Sequence, residues 1–153
     1  MQAMSALTLT SLSKLAGAAP VIVRVVVGAI MLAHGWSKLS GPGPVGVGGF
    51  LAELGVPAPT LFGYVLSFGE ALGGLALIVG FLTRLAAVLL TVDLVLAILL
   101  VKVDVGLIGE QGAGAELDLA LIAGFIAVAL LGPGRPSLDH ALGLERGPAP
   151  RPK

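Results

Sequence analysis

TLFGYVLSFGEALGGLALIVGFL, residues 60–82, decides the fold. The stretch carries one ionisable side chain, Glu70, and its length matches the ~20 apolar residues that cross a bilayer as a helix. A charged group at the centre of such a run costs roughly 2.5–3.5 kcal/mol on insertion scales. It is therefore expected to face protein rather than lipid, to pair with another group, and often to mark a site. Similar runs surround it. Residues 20–39 contain Arg24 and His34, residues 84–101 contain Asp93, and Glu116 and Asp118 open the run to Leu131.

Composition agrees with a membrane chain. It is 56% hydrophobic and 12% charged, with a mean hydropathy of +1.02. Soluble domains are about 45–50% apolar and about 25% charged. A net charge of zero gives no basic surface for nucleic acid. The absence of cysteine excludes disulfides, thiolate metal sites and a thiol relay within the chain. Arg24 interrupts the first apolar run, which also outlasts a signal-peptide core, so it is expected to be retained as a helix.

Four spans are expected, at about residues 20–39, 60–82, 85–101 and 115–131. The fold class is all-α, an integral membrane four-helix bundle. Residues 20–136 form the membrane domain between tails 1–19 and 137–153. Residues 40–59 are rich in Gly and Pro, and within them Phe50, Leu51 and Leu54 share a helical face, which suggests a short interfacial helix. Thr83 and Arg84 read as the turn between spans 2 and 3. Lys14, Arg84, Arg135, Arg146, Arg151 and Lys153 fall on one side of the membrane and only Lys38 and Lys102 on the other. The positive-inside rule then puts both termini in the cytoplasm.

Depth follows from about 1.5 Å of rise per residue. Glu70 lies roughly 15 Å and Asp93 roughly 13 Å below the outer surface. Arg24, with its long side chain, completes an expected midplane cluster of Arg24, Glu70 and Asp93. The cluster can bind a polar head or relay protons, or it can simply lock helices together by ion pairing. One Arg does not neutralise two carboxylates, so one acid is expected to hold a proton. Nearer the outer surface, His34, Lys38, Glu116 and Asp118 suit a pocket for a quinone headgroup, with His34 bonding a ring carbonyl. A salt-bridged helix end, with Lys38 snorkelling to water and Trp36 as an anchor, is the structural alternative. Helical spacing places Arg24, Gly28, Met31, Gly35 and Lys38 on one stripe. It does the same for Gly63, Ser67, Glu70 and Gly74, and for Glu116, Ala120, Ala123 and Ala127. Such small residues suit close helix contact. Ser67, Thr91 and Tyr64 are expected to hydrogen-bond between helices. His140 is too far from His34 to share a metal, and no metal or nucleotide motif is present.

Over about residues 20–143 the chain resembles the DoxX family of small four-span bacterial membrane proteins. Span 1 is similar to its R-x-x-x-G…H-G-x-x-K-L pattern at Arg24, Gly28, His34, Gly35, Lys38 and Leu39. Span 2 is similar to E-x-x-G-G…G-x-x-T-R at Glu70, Gly73, Gly74, Gly80, Thr83 and Arg84. G-P-G-x-x-S-L-D follows span 4 at Gly132, Pro133, Gly134, Ser137, Leu138 and Asp139. The resemblance implies that the membrane is a bacterial cytoplasmic (inner) one, and it implies a link to quinone-coupled oxidoreductase subunits and membrane-associated redox complexes. The leading functional expectation is therefore a membrane subunit of a quinone-linked oxidoreductase system. It would offer a quinone or docking site to a soluble or membrane partner that carries the redox centre. It is not expected to be a self-sufficient enzyme. A small-molecule or proton-coupled transporter, in which a homo-oligomer supplies the gates, and a lipid-binding scaffold are the alternatives.

Overall fold

The computed structural model describes residues 10–109 and 114–145, and among them all regular structure is helical. A 3₁₀ segment, Thr10–Ala18, leads into α1, Ala19–Ser40, where Pro20 occupies the first turn. The remaining helices are α2 (Gly43–Glu53), α3 (Pro59–Val79), α4 (Thr83–Ala97), α5 (Glu116–Leu131) and the single turn α6 (Leu138–Ala141). A π-helical turn, Ile98–Lys102, extends α4. Three stretches are long and apolar enough to cross a membrane: Ser13–Ser40, Pro59–Val79 and Thr83–Lys102. The fourth long helix, α5, has 16 residues, about 24 Å, and packs against α4 and α1. Apolar side chains such as Leu61, Leu72, Leu89, Leu99 and Leu130 point outward from these helices, where lipid covers them.

Several boundaries differ from the sequence reading. The turn between spans 2 and 3 is Gly80–Leu82, so Thr83 and Arg84 open α4. Gly80 has φ +73°, and the amide N–H groups of Gly80 and Phe81 close back on the carbonyls of Ala76 and Leu77. That is a glycine-terminated helix end, which a β-carbon would oppose. The short helix after span 1, expected over about residues 46–54, runs from Gly43 to Glu53 and buries Val47, Gly48 and Leu51 against α3. Phe50 and Leu54 point outward instead, because Gly48 lets the α2 backbone approach Thr60. Residues 1–9 and 146–153, including the basic end of the expected C-terminal tail, lie outside the described residues.

Glycine sets the central contact. A β-carbon at Gly35 would lie 2.3 Å from the Ala71 nitrogen, and one at Gly74 2.4 Å from the Leu32 nitrogen. At Gly28 it would meet the Gly74 carbonyl at 2.8 Å. Backbone therefore rests on backbone along α1 and α3, the means by which membrane helices gain packing energy. Both expected stripes are buried, with Gly63 at the end of its stripe packed on Pro44 and Gly48 of α2. Gly28, Met31, Gly35, Gly63, Ser67, Glu70 and Gly74 are all buried.

The stripe expected on span 4 is not used. Glu116, Ala120 and Ala123 are exposed, whereas Asp118, Leu121, Phe125 and Val128 are buried. The reason is volume. α5 sits further from its neighbours than α3 does from α1, and Leu121, Phe125 and Val128 fill the space against Val27, Met31, Leu77, Ala87, Leu90 and Leu94. Ser67 and Thr91 also depart from expectation. Each hydroxyl donates to the carbonyl one turn back on its own helix, at 2.7 and 2.8 Å. Tyr64 is half exposed and stacks on Phe68.

Gly74→Leu should therefore separate α1 from α3 and lower stability by about 1–3 kcal/mol or more. Gly69→Ala, placed where a β-carbon meets nothing within 4 Å, should leave stability unchanged or improved. Thermal unfolding of both variants in one detergent checks the contrast.

Candidate functional site

The ionisable side chains divide between the two ends of the bundle. At one end, Arg24 donates Nη1 to the carbonyls of Leu77 (2.7 Å) and Ile78 (2.8 Å) and Nη2 to the carbonyl of Pro136. It is 3% exposed. Helix α3 ends here, where the Leu77 carbonyl takes only one long backbone bond, from the Gly80 amide, and no further helical turn follows. A cation at a helix C-terminus also meets the negative end of the macrodipole. Asp139, from the turn after α5, does the reciprocal work at the start of α4. Its carboxylate accepts from the amides of Leu82 (2.7 Å) and Thr83 (2.9 Å), and its own amide donates to Gly80 (2.8 Å). These contacts also hold Leu82 at φ +45°, a conformation uncommon for a residue with a side chain. Arg84 binds the last carbonyls of α5 at Ala129 and Leu130 and pairs with Glu145 at 2.6 Å.

Arg24 is thus committed to backbone carbonyls and does not join Glu70 and Asp93 in one ion-paired cluster. It sits almost two turns beyond Glu70 along α3, and the carbonyls there claim all the donors it uses. Lys38 takes its place. Lys38 Nζ donates to both oxygens of Glu70, at 2.6 and 2.5 Å. The side chain of Lys38 is 30% exposed and that of Glu70 is 7% exposed. The Gly35–Ala71 contact makes this reach possible, since it brings the Lys38 half of α1 down onto α3.

Asp93, on α4, lines the same groove as Glu70 on α3, and its Oδ2 is buried without a hydrogen-bond donor. Two ionised carboxylates are acceptors only, so Glu70 could satisfy Asp93 only if one of the two held a proton. Lys38 and Asp118 are within electrostatic range of Asp93. Asp118 is itself 6% exposed and lies 2.6 Å from Lys102 Nζ, which also donates to the Gly114 carbonyl at 3.0 Å. Lys38, Glu70, Asp93, Lys102 and Asp118 therefore form one charged layer to which α1, α3, α4 with its π turn, and α5 all contribute.

The expected outer pocket is divided by this arrangement. Lys38 joins Glu70, Asp118 joins Lys102, and His34 and Glu116 are exposed. Lys102 escaped the sequence reading for a geometric reason. Nine residues at about 100° each put it on the opposite side of an ideal α-helix from Asp93. The wider π turn brings it back toward the interior. Such turns often occur at functional sites.

A groove of about 670 Å³ runs between α3 and α4. Its walls are apolar, with Leu66, Leu72, Leu89 and Leu96 among them. Among the described residues, the only ionisable side chains that reach it are Glu70 and Asp93. Gly69 and Gly73 on α3 and Ala86 on α4 leave the space open. Among the described residues no three His, Cys, Asp or Glu side chains come together as a metal site.

The DoxX family model matches residues 19–103. The chain is 36% identical over 131 residues to the uncharacterized membrane protein Rv3486 of Mycobacterium tuberculosis, covering 80% of each chain. It is 33% identical to the Bacillus subtilis protein named Putative oxidoreductase CatD, covering 77% of this chain and 82% of that one. It is 28% identical to the inner membrane protein YqjF of Escherichia coli, covering 86% of this chain and 97% of that one. No solved structure matches.

Lys38→Met should strand Glu70 as a buried carboxylate. Breaking a fully buried pair costs about 3–5 kcal/mol. The loss here should be smaller, because Lys38 is 30% exposed. Adding Glu70→Gln should restore most of it. Chemical denaturation of the two single variants and the double variant checks this; additive losses would show that the two side chains do not act as a pair.

Proposed function

The chain belongs to the DoxX family of membrane proteins, and from that premise we propose that it is a membrane-embedded subunit of a quinone-linked oxidoreductase system. The observation that carries this reading is the α3–α4 groove, apolar along its walls and reached by Glu70 and Asp93 alone among the ionisable groups of the described residues. A quinone needs that combination. Its isoprenoid tail prefers apolar walls open to lipid, and its ring carbonyls need hydrogen-bond donors and a proton source at one point. A carboxyl pair holding a proton supplies both. Electrons have no thiol route within a cysteine-free chain, so a partner oxidoreductase would carry the redox centre. The relative named as an oxidoreductase supports the same direction.

In this reading α5 is a fourth span, and the Arg24 end lies in the cytoplasm of a bacterial inner-membrane protein. Lys14, Arg84 and Arg135 all belong to that end, against Lys38 and Lys102 at the other, which supports the orientation. Proton-coupled transport of a small molecule is the second reading. Its support is the same buried carboxyl pair within a charged layer.

A photoreactive short-tailed naphthoquinone, cross-linked in membranes and mapped by mass spectrometry, tests the redox reading. Adducts should fall on the walls between residues 62 and 96. Gly69→Phe should abolish them, because it fills the groove without touching helix packing. Asp93→Asn should weaken them, and His34→Ala should leave them in place. Labelling lost in His34→Ala but kept in Gly69→Phe would move the site to the outer end of α1. Solute flux in liposomes abolished by Glu70→Gln, without quinone labelling, would favour transport.

A further inference from the structure

The charged layer is unbalanced and one-sided. Two ammonium groups, Lys38 and Lys102, face three carboxyl groups, Glu70, Asp93 and Asp118. Arg24, the only other cation inside the bundle, is engaged by carbonyls at the far end. One proton on the Glu70–Asp93 pair makes the layer neutral and supplies the hydrogen bond that two carboxylates cannot make.

The two directions out of the pair differ. Toward the Arg24 end lie Met31, Leu77, Phe125 and Val128, each at most 1% exposed. Beyond them Arg24 and Asp139 are buried and bound to backbone. No polar chain crosses this plug. The groove beside the pair has apolar walls and offers water no polar path. Toward the other end, Lys38 touches both Glu70 oxygens and is 30% exposed.

We propose that the Glu70–Asp93 pair is a proton-exchange site that communicates with water only at the Lys38 end, with Lys38 as the contact between pair and surface. The exchange is a simple acid–base relay. The Lys38 ammonium gives a proton to the facing carboxylate and takes one back from water, so charge and protons balance without a redox step. The proposal deepens the quinone reading by assigning the side on which ring protons enter and leave. Its test uses no quinone, so either idea can fail alone.

The chain has no cysteine, so Asp93→Cys introduces a single thiol. Sealed vesicles of each orientation are treated with a small, membrane-impermeant cationic methanethiosulfonate. Labelling is expected from the Lys38 end and lost from the Arg24 end. Ser67→Cys, one turn from Glu70 toward the Lys38 end, gives the same readout if Asp93→Cys does not fold. In parallel, the wild-type infrared spectrum should show a protonated carboxyl band that shifts in D₂O. The band should disappear in Asp93→Asn or Glu70→Gln and should exchange more slowly in Lys38→Met. Labelling from the Arg24 end, labelling from neither end, no exchangeable carboxyl band, or unchanged exchange in Lys38→Met would each overturn the proposal.

Discussion

Contact between the backbones of α1 and α3 fixes where every buried charge can go. In lipid there is no hydrophobic gain from bringing two apolar helices together, so close packing has to supply the association. Gly28, Gly35 and Gly74 permit that packing, and they also set the register of the two helices. The register puts Arg24 beside the last carbonyls of α3 and Lys38 beside Glu70. A shift of one turn would separate both sets. Packing and charge placement are thus one constraint, and the glycines cannot be judged apart from the ions they bring together.

The family-like motifs divide along the same line. Arg24, Gly80, Arg84, Gly132 and Asp139 meet at one end, where they complete helix termini and a tight turn. Most of their bonds go to backbone groups, a pairing that a membrane enforces strictly because no water is present to replace it, while Arg84 also pairs with Glu145. Lys38 and Glu70 lie at the other end, where the bonding is side chain to side chain and Asp93 remains incompletely satisfied.

The apolar runs and the stripes on α1 and α3 were legible in the sequence because a 3.6-residue period and a run of about 20 residues report directly on helix and membrane. Arg24 was misplaced because its partners are carbonyls, and backbone acceptors have no sequence signature. Asp139 caps a helix 56 residues away. Nothing local in its own motif points to that contact. On α5 the alanine stripe and the bulky stripe are equally periodic, and only the gap left by the α1–α3 contact selects Leu121, Phe125 and Val128. The π turn that redirects Lys102 is likewise a product of tertiary packing. The groove was illegible for a related reason, since it depends on where α3 and α4 diverge.

The α3–α4 groove and the Lys38 end bear on each other. A ligand lying in the groove reaches the carboxyl pair from the lipid side, while Lys38 reaches it from the water side. Glu70 is the residue common to both approaches, and Asp93 extends its reach into the groove. A membrane-soluble molecule that gains or loses protons requires such a junction: apolar access for the carrier, polar access for the proton, and no open path joining the two faces of the membrane. The plug of Met31, Leu77, Phe125 and Val128 closes the remaining direction. A lone ion pair that served only to hold helices would need neither the groove beside it nor a further carboxyl oxygen buried without a donor, and the proposed exchange site rests on these two features together.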